Sequence, residues 1–375
     1  MPLFPIHRIR ALLLLAAAAA ACLYAGKEFR KMNAPDTILP GQGVSRIRAL
    51  KDYFPNLEGT RSDSAVYFLE SGRPGPTVLV LGGTHPNEPA GFLAAVALVE
   101  SLRVKAGRLI VVPQACQSGF TCTDPLEGYP QSYSLRSRSR LRTFRFGSRA
   151  ANPVEDWPDP IIYRHFPSGQ QLSGNETRNL NRAYPGKSDG TTTEKTAFAI
   201  MKLIRDEKVN LAFDLHEAAP EIPIINAIVT HEKGRELAAG ALLGLELENL
   251  PYALELSPPN FHGLSHREWG DGTPAIPFLL ETTNPVQGRL RGRTGASLAV
   301  DGQDRQYRLA QESGRMRITY DAGGEPLARR VGRHLRAIQA VLETYNELHP
   351  EGRVELEGIP SYEEIIRNGV GSLLQ

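Results

Sequence analysis

The chain has 375 residues, enough to bury one large α/β core or two smaller ones. Its composition, 41% hydrophobic and 22% charged, is that of an ordinary globular protein and excludes a wholly disordered chain. The formal net charge of +2 carries no signature of nucleic-acid binding, so no nucleic-acid partner is predicted.

The first 25 residues form a segment of their own. Arg8 and Arg10 precede an apolar run over residues 11–25, which is typical of a secretory signal peptide and short for a spanning helix of about 20 residues. Lys27 and two further basic residues follow, and they could hinder cleavage and leave an N-terminal membrane anchor. We therefore predict an exported protein, periplasmic or otherwise extracytoplasmic. The sequence leaves open whether this segment is cleaved off or is retained, with residues 11–25 as a membrane anchor.

Alternating strand-like and helix-like segments follow a lead-in or linker over residues 26–60. Short apolar runs predict strands at 66–69, 77–81, 109–112, 210–214, 224–229 and 276–280. Apolar periodicity predicts helices at 88–103, 193–208, 231–247 and 326–348. The polar, Gly- and Arg-rich residues 288–321 are expected to form an insertion or a hairpin. The alternation predicts an α/β domain over residues 61–350 with a mixed, largely parallel sheet and helices on both faces, followed by a tail over 351–375.

Two distant pieces of sequence supply the three ligands of one metal site. His85 and Glu88 form an H-x-x-E pair after the strand at 77–81, and His216 follows the strand at 210–214. An H-x-x-E pair is a weak signal by itself, but the carboxyl ends of parallel strands meet at one edge of a sheet. Two imidazoles and a carboxylate leave a fourth zinc position free for water. The sequence predicts one catalytic zinc ion per chain.

A glutamate at the end of another strand is the candidate base. Glu281 follows an apolar run, a setting that raises a carboxyl pKa towards that of a useful base. Glu217 is a rival, but strand alternation points it away from its ligand neighbour His216. Asp214 lies on the same strand face as His216 and is predicted to orient that imidazole.

An arginine- and asparagine-rich stretch supplies candidate substrate ligands. Residues 178–186 (RNLNRAYPG) include Arg178, Asn181 and Arg182. A guanidinium group grips a carboxylate in a bidentate manner, and a second arginine near a metal stabilises a developing oxyanion. Arg178 is the first candidate for that second role, and Arg164 is the alternative.

These pieces together resemble the zinc carboxypeptidase superfamily, most closely its succinylglutamate desuccinylase/aspartoacylase-like branch. The similar segments are GGTHPNEPAG (82–91), NLNRAYPG (179–186), FDLHEA (213–218) and LLET (279–282). The resemblance implies a sheet of about eight strands, zinc ligands His85, Glu88 and His216, a carboxylate held by Asn181 and Arg182, and Glu281 as the catalytic acid/base. Relatives usually carry Asp where Asn179 stands.

The predicted function is that of a zinc-dependent hydrolase that cleaves an amide bond in an N-acyl amino acid or short peptide with a free carboxylate. An exported carboxypeptidase acting on peptides or cell-wall peptides is one alternative. A catalytically inactive exported binding protein of the same fold is another. The sequence predicts no oligomeric state. It also leaves open whether the enzyme is a deacylase or a carboxypeptidase.

Two further features leave alternatives open. The arginines from Arg136 to Arg149 form a stretch without acidic residues, which is typical of a solvated loop or of a surface for anionic ligands. Cys116 and Cys122 are compatible with a small disulfide loop or with two free thiols.

Overall fold

The computed structural model describes residues 6–375. Its fourteen strands, numbered in chain order, are β1 Arg46–Ala49, β2 Ala65–Glu70, β3 Thr77–Leu81, β4 Arg103–Ala106, β5 Arg108–Val112, β6 Ser132–Arg136, β7 Leu141–Arg145, β8 Ile162–Arg164, β9 Gln171–Ser173, β10 Leu211–Ala218, β11 Ala227–Thr230, β12 Ala253–Leu256, β13 Ile276–Thr283 and β14 Glu355–Glu357. Its ten α-helices are α1 Ile6–Met32, α2 Pro89–Ser101, α3 Pro153–Asp156, α4 Thr192–Asp206, α5 Arg235–Leu247, α6 Ser265–Gly272, α7 Ala296–Asp301, α8 Arg305–Glu312, α9 Leu327–Leu348 and α10 Tyr362–Asn368.

Eight strands form one mixed sheet in the order β1-β2-β5-β3-β10-β13-β11-β12. The pairs β3–β5, β3–β10, β10–β13 and β11–β12 are parallel, and the remaining three are antiparallel. The central strands β3 and β10 are buried on both faces, which explains the apolar run of β3 and the apolar residues 211–213 with which β10 begins. The predicted fold class is therefore confirmed.

Helices cover both faces of this sheet. Helices α2, α5 and α9 pack on one face, where Phe92, Leu335 and Phe213 belong to one large apolar cluster. Helices α4 and α6 cover the other face, where Ile200 and Trp269 pack against the sheet. A three-layer arrangement of this kind, with helices on both faces of the sheet, leaves the strand ends free to build a site.

The N-terminal helix α1 stands apart from this core. It has 27 residues, its most apolar window has a mean hydropathy of 1.9, and none of that window is buried. Length and composition would allow α1 to cross a membrane. It extends the predicted apolar run in both directions, and residues 1–5 of the predicted N-terminal segment lie outside the described residues.

Two segments differ from their sequence-based expectations. Residues 288–321 contain the short helices α7 and α8 in place of a hairpin. The arginine-rich stretch forms the hairpin β6–β7, and its Arg142 is buried in an ion pair with Glu100, 2.6 Å from Nη1 to Oε2. The stretch is therefore neither a solvated loop nor a uniform exposed row of guanidinium groups.

The last residues lie against the domain. Strand β14 pairs with β4, and α10 packs on α9. The backbone N–H of Gln375 donates to Glu100 Oε2 over 2.9 Å. Cys116 and Cys122 are both free thiols, on either side of a 3-10 turn.

Candidate metal centre and active site

Three parallel strands bring the candidate residues to one edge of the sheet. Strand β3 leads into the turn that carries His85, and β10 and β13 lie side by side with His216 opposite Glu281. Gly83 makes the turn possible, because its φ of +62° is unfavourable for side chains with a Cβ. The same glycine leaves room for the Phe120 ring, which a Cβ would approach to 2.8 Å.

His85, Glu88 and His216 converge on one buried point. Glu88 Oε1 lies 2.8 Å from His85 Nδ1, and Glu88 Oε2 lies 3.0 Å from His216 Nδ1. The two Nδ1 atoms are 3.1 Å apart. One ligand atom from each residue lies within 4.8 Å of the others, and all three side chains are buried. Two imidazole nitrogens and a carboxylate aimed at one point fit a zinc ion by their chemistry.

The outer nitrogen of each imidazole has its own partner. His85 Nε2 lies 2.9 Å from Asn179 Oδ1, which also accepts the backbone N–H of Asn181. His216 Nε2 lies 2.9 Å from Asp214 Oδ2, a close contact rather than an aligned hydrogen bond. Thr84 donates its hydroxyl to the other oxygen of Asp214 over 2.6 Å. These contacts leave both Nδ1 atoms facing the cluster.

Electrostatics keep His85 in the form that binds metal ions. Burial, with a smaller contribution from the charge of Arg149, lowers the pKa of His85 to about 4. A neutral imidazole is the ligating form near neutral pH. Burial alone would raise the pKa of Glu88, but the charges of His85 and His216 outweigh it and keep that pKa well below its usual value.

Glu281 lies beside His216 on the neighbouring strand, and its carboxyl group lines the same cavity. Its Oε2 atom is buried and accepts no hydrogen bond within the described chain. Burial raises the pKa of Glu281 to about 8, although the charge of His216 acts in the opposite direction. An unpartnered carboxyl group of raised pKa is suited to exchange protons with a bound water molecule.

Glu217, the rival base, is held elsewhere. Its Oε1 lies 2.7 Å from Arg330 Nη1, and its Oε2 accepts the backbone N–H of Ala90 over 2.8 Å. Its own backbone N–H donates to Glu88 Oε2. Glu217 therefore supports the ligand carboxylate from behind, while its side chain is committed to buried partners.

The structure does not bring Arg178 to the cluster. Its Nε and Nη2 donate to the two oxygens of Asp159 over 2.6 and 2.8 Å, and its Nη1 donates to Ala151 O. Neither Arg178 nor Arg164, which is exposed on β8, lines the cavity that contains the ligands. The bidentate ion pair with Asp159 explains the position of Arg178, and the expectation for both arginines needs correction.

Arg149 takes the position that was expected for those arginines. Its Nη1 lies 3.2 Å from Glu88 Oε1 and 3.3 Å from His85 Nδ1, and its side chain is 42% exposed towards the cavity. No local pattern distinguishes Arg149 from its neighbours in the arginine stretch. It reaches the cluster because the chain folds back after β7, which sequence spacing does not reveal.

Asn181 and Arg182 line the same cavity. Asn181 Oδ1 accepts the backbone N–H of Ser265, which fixes the loop. The guanidinium group of Arg182 lies over the Phe261 ring, 5.2 Å from its centroid, and forms no ion pair with a carboxylate among residues 6–375. Burial lowers the pKa of Arg182. A partly buried cation without a counter-ion is suited to bind a ligand carboxylate.

The cavity has a volume of about 500 Å³ and two unlike halves. The polar half holds the ligand cluster, Glu281, Arg149 and Arg182. The other half is largely apolar and is lined by Ile222, Ile224, Val229, Leu256, Pro258 and Leu279. His266 also lines the cavity, its Nδ1 atom is buried without a partner, and burial lowers its pKa to about 3. His266 carries no signal in the sequence, because no neighbouring residue marks it as part of a site.

Fold and site together define an α/β protein with a candidate mononuclear metal centre at the carboxyl edge of a mixed sheet. No family model matches the chain. A curated relative, the N-alpha-acetyl-L-2,4-diaminobutyric acid deacetylase of Halomonas elongata, is 26% identical over 187 residues, which are 48% of this chain and 40% of that protein.

Solved structures of similar fold include a succinylglutamate desuccinylase from Silicibacter sp. TM1040. It is 19% identical, has a TM-score of 0.36 and is matched over 60% of this chain and 54% of its own. The apo cell shape determinant protein Csd4 of Helicobacter pylori is 14% identical, with a TM-score of 0.46, over 81% of this chain and 59% of its own. The chain spans about half of the length of the relatives that it matches. These similar proteins, a deacetylase, desuccinylase/aspartoacylase-like proteins and Csd4, are of the kinds that the sequence resembles.

Proposed function

We propose that the chain is a zinc-dependent hydrolase that cleaves an amide bond in an N-acyl amino acid or short peptide bearing a free carboxylate. The observation that carries the proposal is the arrangement of three metal-type ligands, a free glutamate and the guanidinium groups of Arg149 and Arg182 around one cavity. The similarity to a deacetylase and to a desuccinylase adds support.

His85 Nδ1, Glu88 and His216 Nδ1 would hold one zinc ion per chain. When bound there, zinc supplies Lewis-acid chemistry, because it polarises a carbonyl group and lowers the pKa of water to about 7. Asn179 and Asp214 keep the two imidazoles oriented for this task.

Arg182 and Asn181 would position the substrate. The guanidinium group of Arg182 binds the free carboxylate, and the amide of Asn181 adds a directional donor. The carboxylate then lies at a fixed distance from the ligand cluster, so that the scissile amide lies between Arg149 and Glu281.

Glu281 and Arg149 would carry out the chemistry on the protein side. Glu281 takes a proton from the attacking water while the water oxygen forms a bond to the amide carbon. Arg149 stabilises the negative charge that develops on the carbonyl oxygen. Glu281 then gives the proton to the leaving nitrogen as the C–N bond breaks. The products are a carboxylate and an amine.

We propose further that the protein acts outside the cytoplasm. The support is α1, an exposed apolar helix of 27 residues near the N-terminus. Either removal of this segment or its retention as an anchor is compatible with an extracytoplasmic substrate.

The test is a hydrolysis screen of N-acyl amino acids, dipeptides and cell-wall peptides with zinc-loaded protein. Glu281→Gln should lower kcat by about 10³-fold, in the range for loss of a general base, and should keep stoichiometric zinc. Glu246→Gln, an exposed glutamate on α5, is the matched control and should act like the wild type. Zinc-loaded wild type that hydrolyses no member of the panel, or equal turnover by Glu281→Gln, would refute the proposal and favour an inactive binding protein.

A further inference from the structure

A row of side chains across the sheet links the candidate active site to the far end of the cavity. Asp214 on β10 pairs with Leu279 on β13, Leu279 pairs with Val229 on β11, and Val229 pairs with Glu255 on β12. Directly paired residues on neighbouring strands point to the same face of a sheet. This face also carries His216 and Glu281.

The floor between the two ends of this row is apolar. Val229 and Leu279 are buried and belong to one small apolar cluster with Ala227. Glu255 lines the same cavity beyond this floor and is half-buried. No hydrogen bond or ion pair joins its carboxylate to another residue within residues 6–375. The apolar half of the cavity therefore ends in a negative charge without a counter-ion.

One wall of the cavity connects this charge to the proposed carboxylate site. The chain runs from Glu255 through Pro258 to Phe261, and all three residues line the cavity. The guanidinium group of Arg182 lies over the Phe261 ring. Arg182 and Glu255 thus stand near opposite ends of one short wall, with apolar surface between them.

The spacing of the strands sets the length of a ligand that fits. β12 is two strands from β13, which corresponds to about 10 Å between the backbones of Glu255 and Leu279. A side chain with the methylene stem of lysine or arginine buries its stem along apolar surface and keeps its charged end free. Such a side chain would cover Val229 and reach Glu255.

We propose that Glu255 selects substrates whose carboxylate-bearing residue carries a terminal cationic group, an amine or guanidinium, on a lysine-length side chain. The inference rests on the proposed function for the placement of the carboxylate at Arg182. The cationic end pairs with Glu255, the stem lies on Val229 and Leu279, and the scissile amide remains beside Glu281.

The experiment compares three substrates that differ at the end of one side chain. These are Nα-acyl-lysine, Nα-acyl-norleucine, which lacks the ammonium group, and Nα-acyl-glutamate. Zinc-loaded wild type should prefer the lysine substrate over norleucine by about 10-fold or more in kcat/KM, in line with a charge-assisted hydrogen bond. Glu255→Gln should remove most of this preference by lowering kcat/KM for the lysine substrate, and Glu255→Lys should shift the preference towards glutamate.

A lysine/norleucine ratio that is the same in wild type and Glu255→Gln would overturn the inference, and so would a wild-type preference for norleucine. Glu246→Gln serves as the control for the loss of a glutamate elsewhere on the surface.

A binding measurement separates this inference from the proposed function. Calorimetric titration of free lysine and free norleucine into zinc-loaded wild type and Glu255→Gln requires no turnover. Tighter binding of lysine that depends on Glu255 supports the inference even if no substrate is hydrolysed, in which case the proposed function fails alone. Hydrolysis with no dependence of either measurement on Glu255 leaves the proposed function standing and overturns the inference.

Discussion

The metal-facing and substrate-facing sides of the cavity differ in how their polar groups are satisfied. On the metal-facing side, His85 is within hydrogen-bond distance of Asn179, His216 Nε2 lies in close contact with the carboxylate of Asp214, and Glu88 accepts the backbone N–H of Glu217. On the substrate-facing side, Glu281 Oε2 and His266 Nδ1 are buried and have no partner within residues 6–375.

This difference indicates which interactions the protein supplies and which it leaves for a ligand. Buried polar groups in folded proteins are nearly always hydrogen-bonded, so each exception calls for an explanation. Contacts behind a ligand set fix the orientation of its donors before a metal binds. The groups without partners in the same cavity are explained if a bound water molecule or the substrate supplies their hydrogen bonds.

The largest effect on activity is expected when one of the metal ligands is removed. His216→Ala removes one of three ligands, so zinc should be lost and kcat/KM should fall by at least about 10³-fold, because both the polarised carbonyl and the activated water disappear. Zinc content by elemental analysis and turnover of the best substrate in the screen measure the two effects. Full zinc occupancy in this variant would contradict the assignment of His216.

A smaller effect is expected from Arg149 on the substrate-facing side. Arg149→Ala should lower kcat by about 10²-fold through loss of oxyanion stabilisation, while zinc binding persists. Arg140→Ala, an exposed arginine of the same stretch, is the matched control. An equal, slight effect of both substitutions would show that Arg149 has no catalytic part.

The unpartnered state of Glu281 should appear in the pH dependence of stability. In the metal-free chain the pKa of Glu281 rises from 4.5 to about 8 on folding, so protonation stabilises the folded state. That stabilisation is complete below pH 4.5 and is lost as the pH rises through about 8. Urea denaturation of chelator-treated protein should show wild type losing stability relative to Glu281→Gln between about pH 5 and about pH 8. A constant difference across this range would speak against the raised pKa.

The smallest catalytic effect is expected at Arg178. Because its guanidinium group is paired with Asp159, Arg178→Ala should change kcat/KM by less than about 3-fold, although the lost ion pair should lower the melting temperature. A loss comparable to that of Arg149→Ala would restore the sequence-based expectation for Arg178.

Much of the fold was predictable because the central strands contain short apolar runs. β3 and β5 are apolar over most of their length, and β10 begins with three apolar residues, as expected of strands buried on both faces. Residues 288–321 were not predictable in the same way, because their helices α7 and α8 span only six and eight residues, too few for a helical periodicity of apolar residues to be recognised. The edge strand β12 was also missed, since its pattern of exposed and half-buried residues resembles a loop.

The residues of the candidate site were also predictable only in part. His85, Glu88 and His216 follow strand ends, and sequence position alone predicts that they converge. Arg149 and His266 reach the cavity from a loop after a hairpin and from a short helix, so their approach depends on tertiary packing. Arg178 was favoured by its nearness in sequence to Asn181, but a carboxylate at position 159 determines where it points.

The most direct test of the metal centre is a crystal structure of zinc-loaded protein with diffraction data on both sides of the zinc absorption edge. We expect one anomalous peak per chain, about 2.0–2.2 Å from His85 Nδ1, His216 Nδ1 and a carboxylate oxygen of Glu88. A peak bound to other residues, or no peak at this position in protein that contains stoichiometric zinc, would contradict the account.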